Sequence, residues 1–415
     1  MTESRHTRDP ASLRGPRVAD FSTHLSGPIA SRQMVQMGAD VIKIENPKWG
    51  DGNRDFPPYF DGEGVHHLAL NPGTRSLAID ARAPNWPQVV EAVARWADVV
   101  IVGNRPVNAQ RLGIDFTSML KHNPRLVYCL VTGYGLAGEW ADYPAHGLNM
   151  DAFAGTVPLE QNGDRPDVPA FYRSVGTTIA GVEAALGIYA ALYRRDHDPD
   201  LQEGGGGQVV HVSIWEAALS WMWRDLGTHA NVGRPWTAYR DLGSRYCVYG
   251  TSDGKALLVA PSERHFWERF CDALDLPAEL RIRGNWSSGS DMGDAYVALG
   301  ERDIIQAKIA SRTRDEWVAV LAKADLPFAP ILDWREAMVS PHAAANGVMT
   351  QYEYKDKTVR VATTPVSVTP AREVREGGYE TLAAAHRAKA GAGRRAPHLG
   401  EHNEEILREL GISAL

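Results

Sequence analysis

Glycines and histidines, not clustered cysteines or acidic pairs, carry the first chemical signals in this sequence. Gly133-Tyr-Gly-Leu-Ala-Gly138 has the Gly-x-Gly-x-x-Gly spacing that lets backbone approach a pyrophosphate, but Glu139-Trp-Ala-Asp-Tyr-Pro144 follows where a dinucleotide-binding helix has to open. Glu45, closing an apolar run, imitates the acid that holds a ribose in such folds. The earlier turn, Ser22-Thr-His-Leu-Ser-Gly27, has only one glycine, however. Both departures argue against nicotinamide or flavin and leave glycine turns in which backbone passes close to another group. Gly204-Gly-Gly-Gly-Gln208 lacks the Lys-Ser or Lys-Thr of a phosphate loop and reads as a flexible turn. His398-Leu-Gly-Glu-His402 imitates a metal pair without further ligands, and His66-His67 has no helical partner at ligand spacing, so no metal is expected.

These residues need elements to position them, and the first two hundred residues alternate apolar runs with helical segments, the pattern of parallel βαβ units. Strands are expected at Arg17–Phe21, Asp40–Glu45, Ser76–Asp80, Asp98–Val102, Arg125–Val131 and Val209–Ile214. Helices are expected from Pro28 to Met37, opened by the proline, and from Trp86 to Trp96, with a tryptophan-rich helix from Trp215 to Asp225. A second unit from about 240 to 335 has amphipathic helices around Glu263–Leu274 and Arg314–Leu321. A β-rich stretch follows from Ala344 to Val368, and Gly377–Arg395 reads as loose. Val175–Tyr193 is apolar enough to resemble a membrane span, yet Glu183, its threonines and its many alanines and glycines favour a buried helix.

Composition limits the function classes. The chain has 415 residues, 44% hydrophobic and 23% charged, which fits a soluble globular protein of two or three domains. Its net charge of −7 gives no basic excess for nucleic acid or an anionic membrane, so an anionic ligand needs a local basic pocket. Cys129, Cys247 and Cys271 are odd in number and far apart, which fits a reducing cytoplasm better than a disulfide framework. The polar first ten residues have no apolar core, unlike a secretory signal, and read as a frayed arm.

A series of local strings, taken in order, resembles the class III CoA-transferase family, which includes carnitine dehydratase-like transferases, formyl-CoA transferases and α-methylacyl-CoA racemases. It opens with Val18-Ala-Asp-Phe-Ser-Thr-His-Leu-Ser-Gly-Pro28 and Met37-Gly-Ala-Asp-Val-Ile-Lys-Ile-Glu45, and continues with Asn71-Pro-Gly-Thr-Arg-Ser-Leu-Ala-Ile-Asp80 and Ala97-Asp-Val-Val-Ile-Val-Gly-Asn-Arg-Pro106. Gly187-Ile-Tyr-Ala-Ala-Leu192, Gly207-Gln-Val-Val-His-Val-Ser213 and the terminal Pro397-His-Leu-Gly-Glu-His-Asn403 follow. The resemblance implies an α/β fold in which a large Rossmann-like domain with an open parallel sheet is built from residues 1–215 and completed by 336–415. It further implies a linker helix at 216–240, a small α+β domain at 241–335, and dimers whose chains interlock like rings.

For function, the resemblance implies an acyl-CoA enzyme that transfers coenzyme A between carboxylic acids, with Arg75, Arg105, Arg111 and Lys43 at motif positions suited to the anionic CoA. The family's transferases use an aspartate, both nucleophile and leaving group, to form an enzyme-linked anhydride and then a thioester. Counting back from Gly187 and Gly181 places Thr177 at that position, where the hydroxyl suits a helix N-cap better than covalent catalysis. Asp151 and Glu183 are the nearest replacement carboxylates in sequence. Pro144-Ala-His-Gly-Leu-Asn149 resembles the racemases' histidine segment, which makes His146 a candidate base. Two alternatives follow: α-carbon chemistry on a bound acyl-CoA, racemase-, lyase- or hydratase-like, with His146 as base, and a non-catalytic CoA-binding subunit of a heteromer.

Overall fold

The computed structural model describes residues 15–201, 205–236, 242–293, 299–388 and 394–412; the amino-terminal arm and Gly204 lie outside them. The chain divides into two compact units, one reaching to Met222 and resuming at Pro341, the other spanning Trp223–Ser340.

In the first unit, β1 (Arg17–Asp20) leads to α1 (Ser26–Gln36), β2 (Asp40–Glu45), β3 (Arg75–Ala78), α2 (Trp86–Trp96), β4 (Val99–Val102), α3 (Pro106–Leu112) and β5 (Val127–Thr132). Then come α4 (Gly147–Phe153), α5 (Val175–His197), β6 (Gln208–Ser213) and α6 (Ile214–Trp221). All six strands pair in parallel in the order β6-β5-β4-β1-β2-β3. The central strands are nearly all apolar because helices cover both faces. Ala19, Ile42, Leu77, Val100 and Tyr128 pack with Val89 and Val93 of α2 on one side. On the other, Val18, Val41, Ile101 and Cys129 pack with Met34 of α1 and Ala184 and Ile188 of α5.

Helix α5 is the only described helix long and apolar enough to cross a membrane, and half of its most apolar stretch is buried within the protein. Its small residues bring it close to α1: a Cβ at Gly181 would fall 2.6 Å from the Ser26 carbonyl oxygen and from Ile29 Cβ. This contact sets the amino ends of the two helices side by side.

The proline does not open α1 as expected. The helix starts two residues earlier at Ser26, with Pro28 inside the first turn, where its missing N–H costs no helical bond. The tryptophan-rich segment is two helices, α6 and Trp223–Val232, which belong to different units.

The second unit carries an antiparallel sheet of β7 (Cys247–Gly250), β8 (Ala256–Val259) and β9 (Phe328–Pro330). Its core holds Trp267, Phe270, Ile305, Trp317 and Leu321. Back in the first unit, the hairpin β10 (Met349–Tyr354) and β11 (Lys357–Ala362) packs Tyr352 and Val361 with Leu68. The stretch expected to be loose is largely helical: Ala371–Ala388 forms an exposed helix kinked at Gly378, where φ is +61°. Its alanines, arginines and glutamates favour helix strongly enough to outweigh the glycine pair. Residues 389–393 of that stretch lie outside the described residues.

Candidate active site

In this sheet the strand order reverses between β1 and β4, and the helices that follow them, α1 and α3, go to opposite faces, which leaves at the strands' carboxyl ends the crevice where open α/β folds bind ligands. A cavity of about 540 Å³ occupies that place, lined by the loop after β1, the loop after β4, the end of β5 and the starts of α4 and α5. Its wall combines apolar groups, among them Phe56, Tyr143, Met150 and Ile214, with three imidazoles and one guanidinium.

The loop after β1 is clamped from beneath. Asp20 accepts Ser22 N at 2.8 Å, the Ser22 hydroxyl and the Ser31 hydroxyl at 2.9 Å. Lys43 Nζ lies 2.7 Å from Asp51 and 3.4 Å from Asp20, with all three side chains shielded from solvent. Burial by itself would lower the lysine pKa. Asp20, Asp51 and Glu45 reverse that and hold it above its ordinary value.

Asp51 accepts the amides of His24 at 3.0 Å and Asn53 at 2.9 Å. Burial opposes its ionisation, but Lys43 prevails and holds the carboxyl below its usual range. His24 is thereby fixed at a φ of +67°, an expensive conformation for a side chain with a Cβ. Gly52 makes room for its ring: a Cβ there would stand 2.4 Å from Nε2.

Next to His24, α1 opens with Ser26, which is buried and whose Oγ has no hydrogen-bond partner. The amides of Ser26 and Gly27 stand where no intrahelical carbonyl can accept from them, and the first turn has no acid. This end of the helix favours a negative charge. Ser26 and the amide end of α1 escape sequence reading because a lone serine before a glycine carries no pattern. His24 escapes as well, because a lone histidine in a loop carries no spacing signal.

The residues expected at the site fare unequally. His146 lines the cavity, its ring centroid 6.0 Å from that of His24. Its backbone N–H donates to Asn149 Oδ1 at 2.8 Å, fixing the start of α4. Thr177 also lines the cavity but is not an N-cap. Ser174 precedes the first residue of α5, which puts Thr177 in the third helical position, its hydroxyl donating to Ser174 Oγ at 2.9 Å.

Asp151 has another task. It is fully buried, accepting Gly176 N at 2.9 Å on one oxygen and Val175 N and the Tyr172 hydroxyl at 3.0 Å on the other. It therefore caps α5 from outside the helix. Glu183 is exposed on α5 and does not line the cavity.

Of the four cations expected to meet an anionic ligand, only Arg105 lines the cavity, donating to the Asp142 carbonyl at 2.8 Å. Arg111 is exposed on the adjoining α3. Lys43 is consumed by its buried carboxylates. Arg75 stands on the edge strand β3, tied to Asp40, Glu405 and Glu409 at 2.7–2.9 Å; burial opposes its charge, and Glu409 and Asp40 raise its pKa against that effect.

Glu45 holds no ribose. It grips Arg54 through both oxygens at 2.8 Å. The two terminal histidines are engaged separately, His398 with the Tyr354 hydroxyl and His402 with Ser76 N. Among the described residues no three metal-ligating side chains converge.

No Asp or Glu lines the cavity among the described residues. The site therefore offers donors and imidazoles. It can hold a carboxylate, polarise a carbonyl and accept a proton, and it has no carboxylate of its own to acylate.

Fold and site together define a Rossmann-like α/β protein with an anion-receiving cleft at its topological switch point. The chain belongs to CoA-transferase family III, whose model matches residues 13–403, and it is accordingly a transferase by family. It is 28% identical to the succinate–glutarate CoA-transferase of Agrobacterium fabrum, across 99% of this chain and 98% of that one. It is 26% identical to the acetyl-CoA:oxalate CoA-transferase of Acetobacter aceti, across 84% of this chain and 88% of the other. In fold it is similar to the crystal structure of Rv3272 from Mycobacterium tuberculosis, with a TM-score of 0.74 and 24% identity, over 94% of this chain and 98% of that one.

Proposed function

We propose that this protein binds a coenzyme A thioester in the cleft at the carboxyl ends of β1, β4 and β5 and transfers the CoA from one carboxylic acid to another. The observation that carries this reading is the coincidence of the cleft with the amide end of α1 and the unpartnered Ser26 hydroxyl. A thioester carbonyl placed there meets donors that strengthen as negative charge develops on its oxygen. Arg105, on the cavity wall, and Arg111, exposed on α3, supply cationic partners for CoA phosphates. Coenzyme A acts as substrate, and no metal takes part.

The protein works in the cytoplasm as a homodimer. The apolar, exposed Val182, Leu186 and Tyr193 on one face of α5 support self-association. The test is incubation with acyl-CoA donors and free acids, followed by mass spectrometry of the CoA pool. A new acyl-CoA is the expected result. Absence of exchange in every pairing overturns the reading.

The His24 and His146 pair favours a second reading, abstraction of an α-proton from the bound acyl group. Deuterium uptake at the α-carbon, lost in His146→Ala, is its signature.

A further inference from the structure

We infer that the nucleophile in this cleft is the carboxylate of the acceptor acid itself, so that CoA transfer proceeds in a ternary complex without an enzyme-linked intermediate. This rests on the transferase reading above and concerns how the transfer is made. An enzyme-linked route needs a side-chain carboxylate at the thioester. Among the described residues the cavity wall has none, and Asp151, which follows the lining Met150, is buried with both oxygens filled by three donors.

The hydroxyls on the wall are poor substitutes. Thr177 donates to Ser174, Ser22 donates to Asp20, and an alkyl ester made on either would be far less open to attack by a thiolate than an anhydride. What the wall does hold is a set of groups for negative charge: the amide end of α1, Ser26, and the imidazoles of His24 and His146 with ring centroids 6.0 Å apart. Such a wall suits two anionic partners brought together at one carbonyl.

The chemistry balances without any further reactant. An oxygen of the acceptor carboxylate bonds to the thioester carbonyl carbon, the carbon–sulfur bond breaks, and its electron pair leaves on sulfur as CoA thiolate. The two acids are now joined as a mixed anhydride. The thiolate then attacks the acceptor's carbonyl carbon, a new carbon–sulfur bond forms, and the donor acid departs as a carboxylate carrying one oxygen that came from the acceptor. No proton or redox equivalent is gained or lost.

The test is a single turnover with the full-length protein in molar excess over acetyl-, succinyl- or benzoyl-CoA, each mixed with acetate, succinate, oxalate and benzoate labelled with ¹⁸O in both carboxyl oxygens. The expected result is that donor acid appears only when an acceptor is present and carries one labelled oxygen in that first turnover. Unlabelled donor acid, or its release in an amount equal to the acyl-CoA supplied, from acyl-CoA alone and with no free CoA formed, overturns the inference and leaves the transferase reading intact. Recovery of a hydroxylamine-sensitive CoA adduct on an Asp or Glu does the same. No exchange in any pairing removes the transferase reading and the inference with it. In the variant Thr177→Asp, label in the first-turnover donor acid is expected to fall if the new carboxylate opens the enzyme-linked route.

Discussion

The backbone N–H of His24 donates to Oδ1 of Asp51 at 3.0 Å, across 27 residues of sequence. This bond fixes a cavity-lining imidazole on a backbone that ordinary side chains avoid, and the carboxylate making it is anchored in turn by Lys43 at 2.7 Å. The buried ion cluster is thus the foundation of the loop that faces the ligand. Strain in that loop persists because the structure around it leaves no alternative.

Removal of the anchor should be costly. In Asp51→Ala, buried Lys43 keeps Asp20, at 3.4 Å, as its one salt-bridge partner, beside the Ser22 carbonyl at 3.0 Å, and His24 loses its hold. Breaking one side of a buried ion pair costs about 3–5 kcal/mol, to be read as a lowered urea midpoint. Because the Asp51 carboxyl is held below its usual range, its contribution is complete above the ordinary aspartate value and disappears as pH falls through the lower folded value. The stability of the variant should therefore be flatter than that of the parent over the acid range.

Gly52→Ala separates function from folding. The new Cβ would fall 2.4 Å from Nε2 of His24, the outer part of a side chain that can swing away. The expected outcome is a stability change within about 1 kcal/mol with weakened acid-substrate binding, measured by calorimetry. Unchanged binding would remove His24 from the site.

Asp151→Ala should behave as the loss of a cap. Two helix amides and the Tyr172 hydroxyl lose their acceptor, for a destabilisation of about 2 kcal/mol in thermal or urea unfolding. Transfer by the folded protein should fall less than about tenfold, whereas loss of a covalent nucleophile costs several orders of magnitude.

His67 gives the fold an acid sensitivity above the carboxylate range. Asn71 donates to its Nδ1 at 3.1 Å, so Nε2 carries the proton toward the Pro397 carbonyl at 3.2 Å and the ring is held neutral. Burial first, then the charge of Arg54, pushes its pKa down to about 4. The unfolded chain takes up that proton near pH 6.5. Stability should therefore be unaffected above that pH and fall by up to about 3 kcal/mol as pH drops toward 4. His67→Gln should remove that slope from a pH series of denaturation midpoints.

Arg111→Ala and Arg105→Ala test the α3 rim. Both lie at the solvent-facing edge, so each should weaken CoA binding by about two- to fivefold. The difference should nearly vanish in 1 M salt, where the screening length is about 3 Å. Arg75→Ala should leave CoA affinity unchanged and instead loosen the contact of β3 with the terminal helix Asn403–Glu409.

Sequence alone determined the scaffold. Asp40–Glu45 and Trp86–Trp96 match the expected boundaries, because an apolar run between polar turns and a 3.6-residue apolar period are local properties that burial then rewards. His146 and Thr177 were legible through motif spacing, and both line the cleft. What remained hidden was which charges are free. Lys43, Arg75, Arg105 and Arg111 are all cations as letters, and only tertiary packing buries the first among carboxylates, ties the second to Asp40 and a terminal helix, sets the third on the cavity wall and leaves the fourth exposed. His24, Ser26 and the capping role of Asp151 depend on partners 24 to 27 residues away or on an absent partner. Periodicity records which face of an element is apolar. Hydrogen-bond saturation of a buried polar atom is a property of three-dimensional neighbours, so the fold alone decided which groups hold the scaffold together and which are left to meet a ligand.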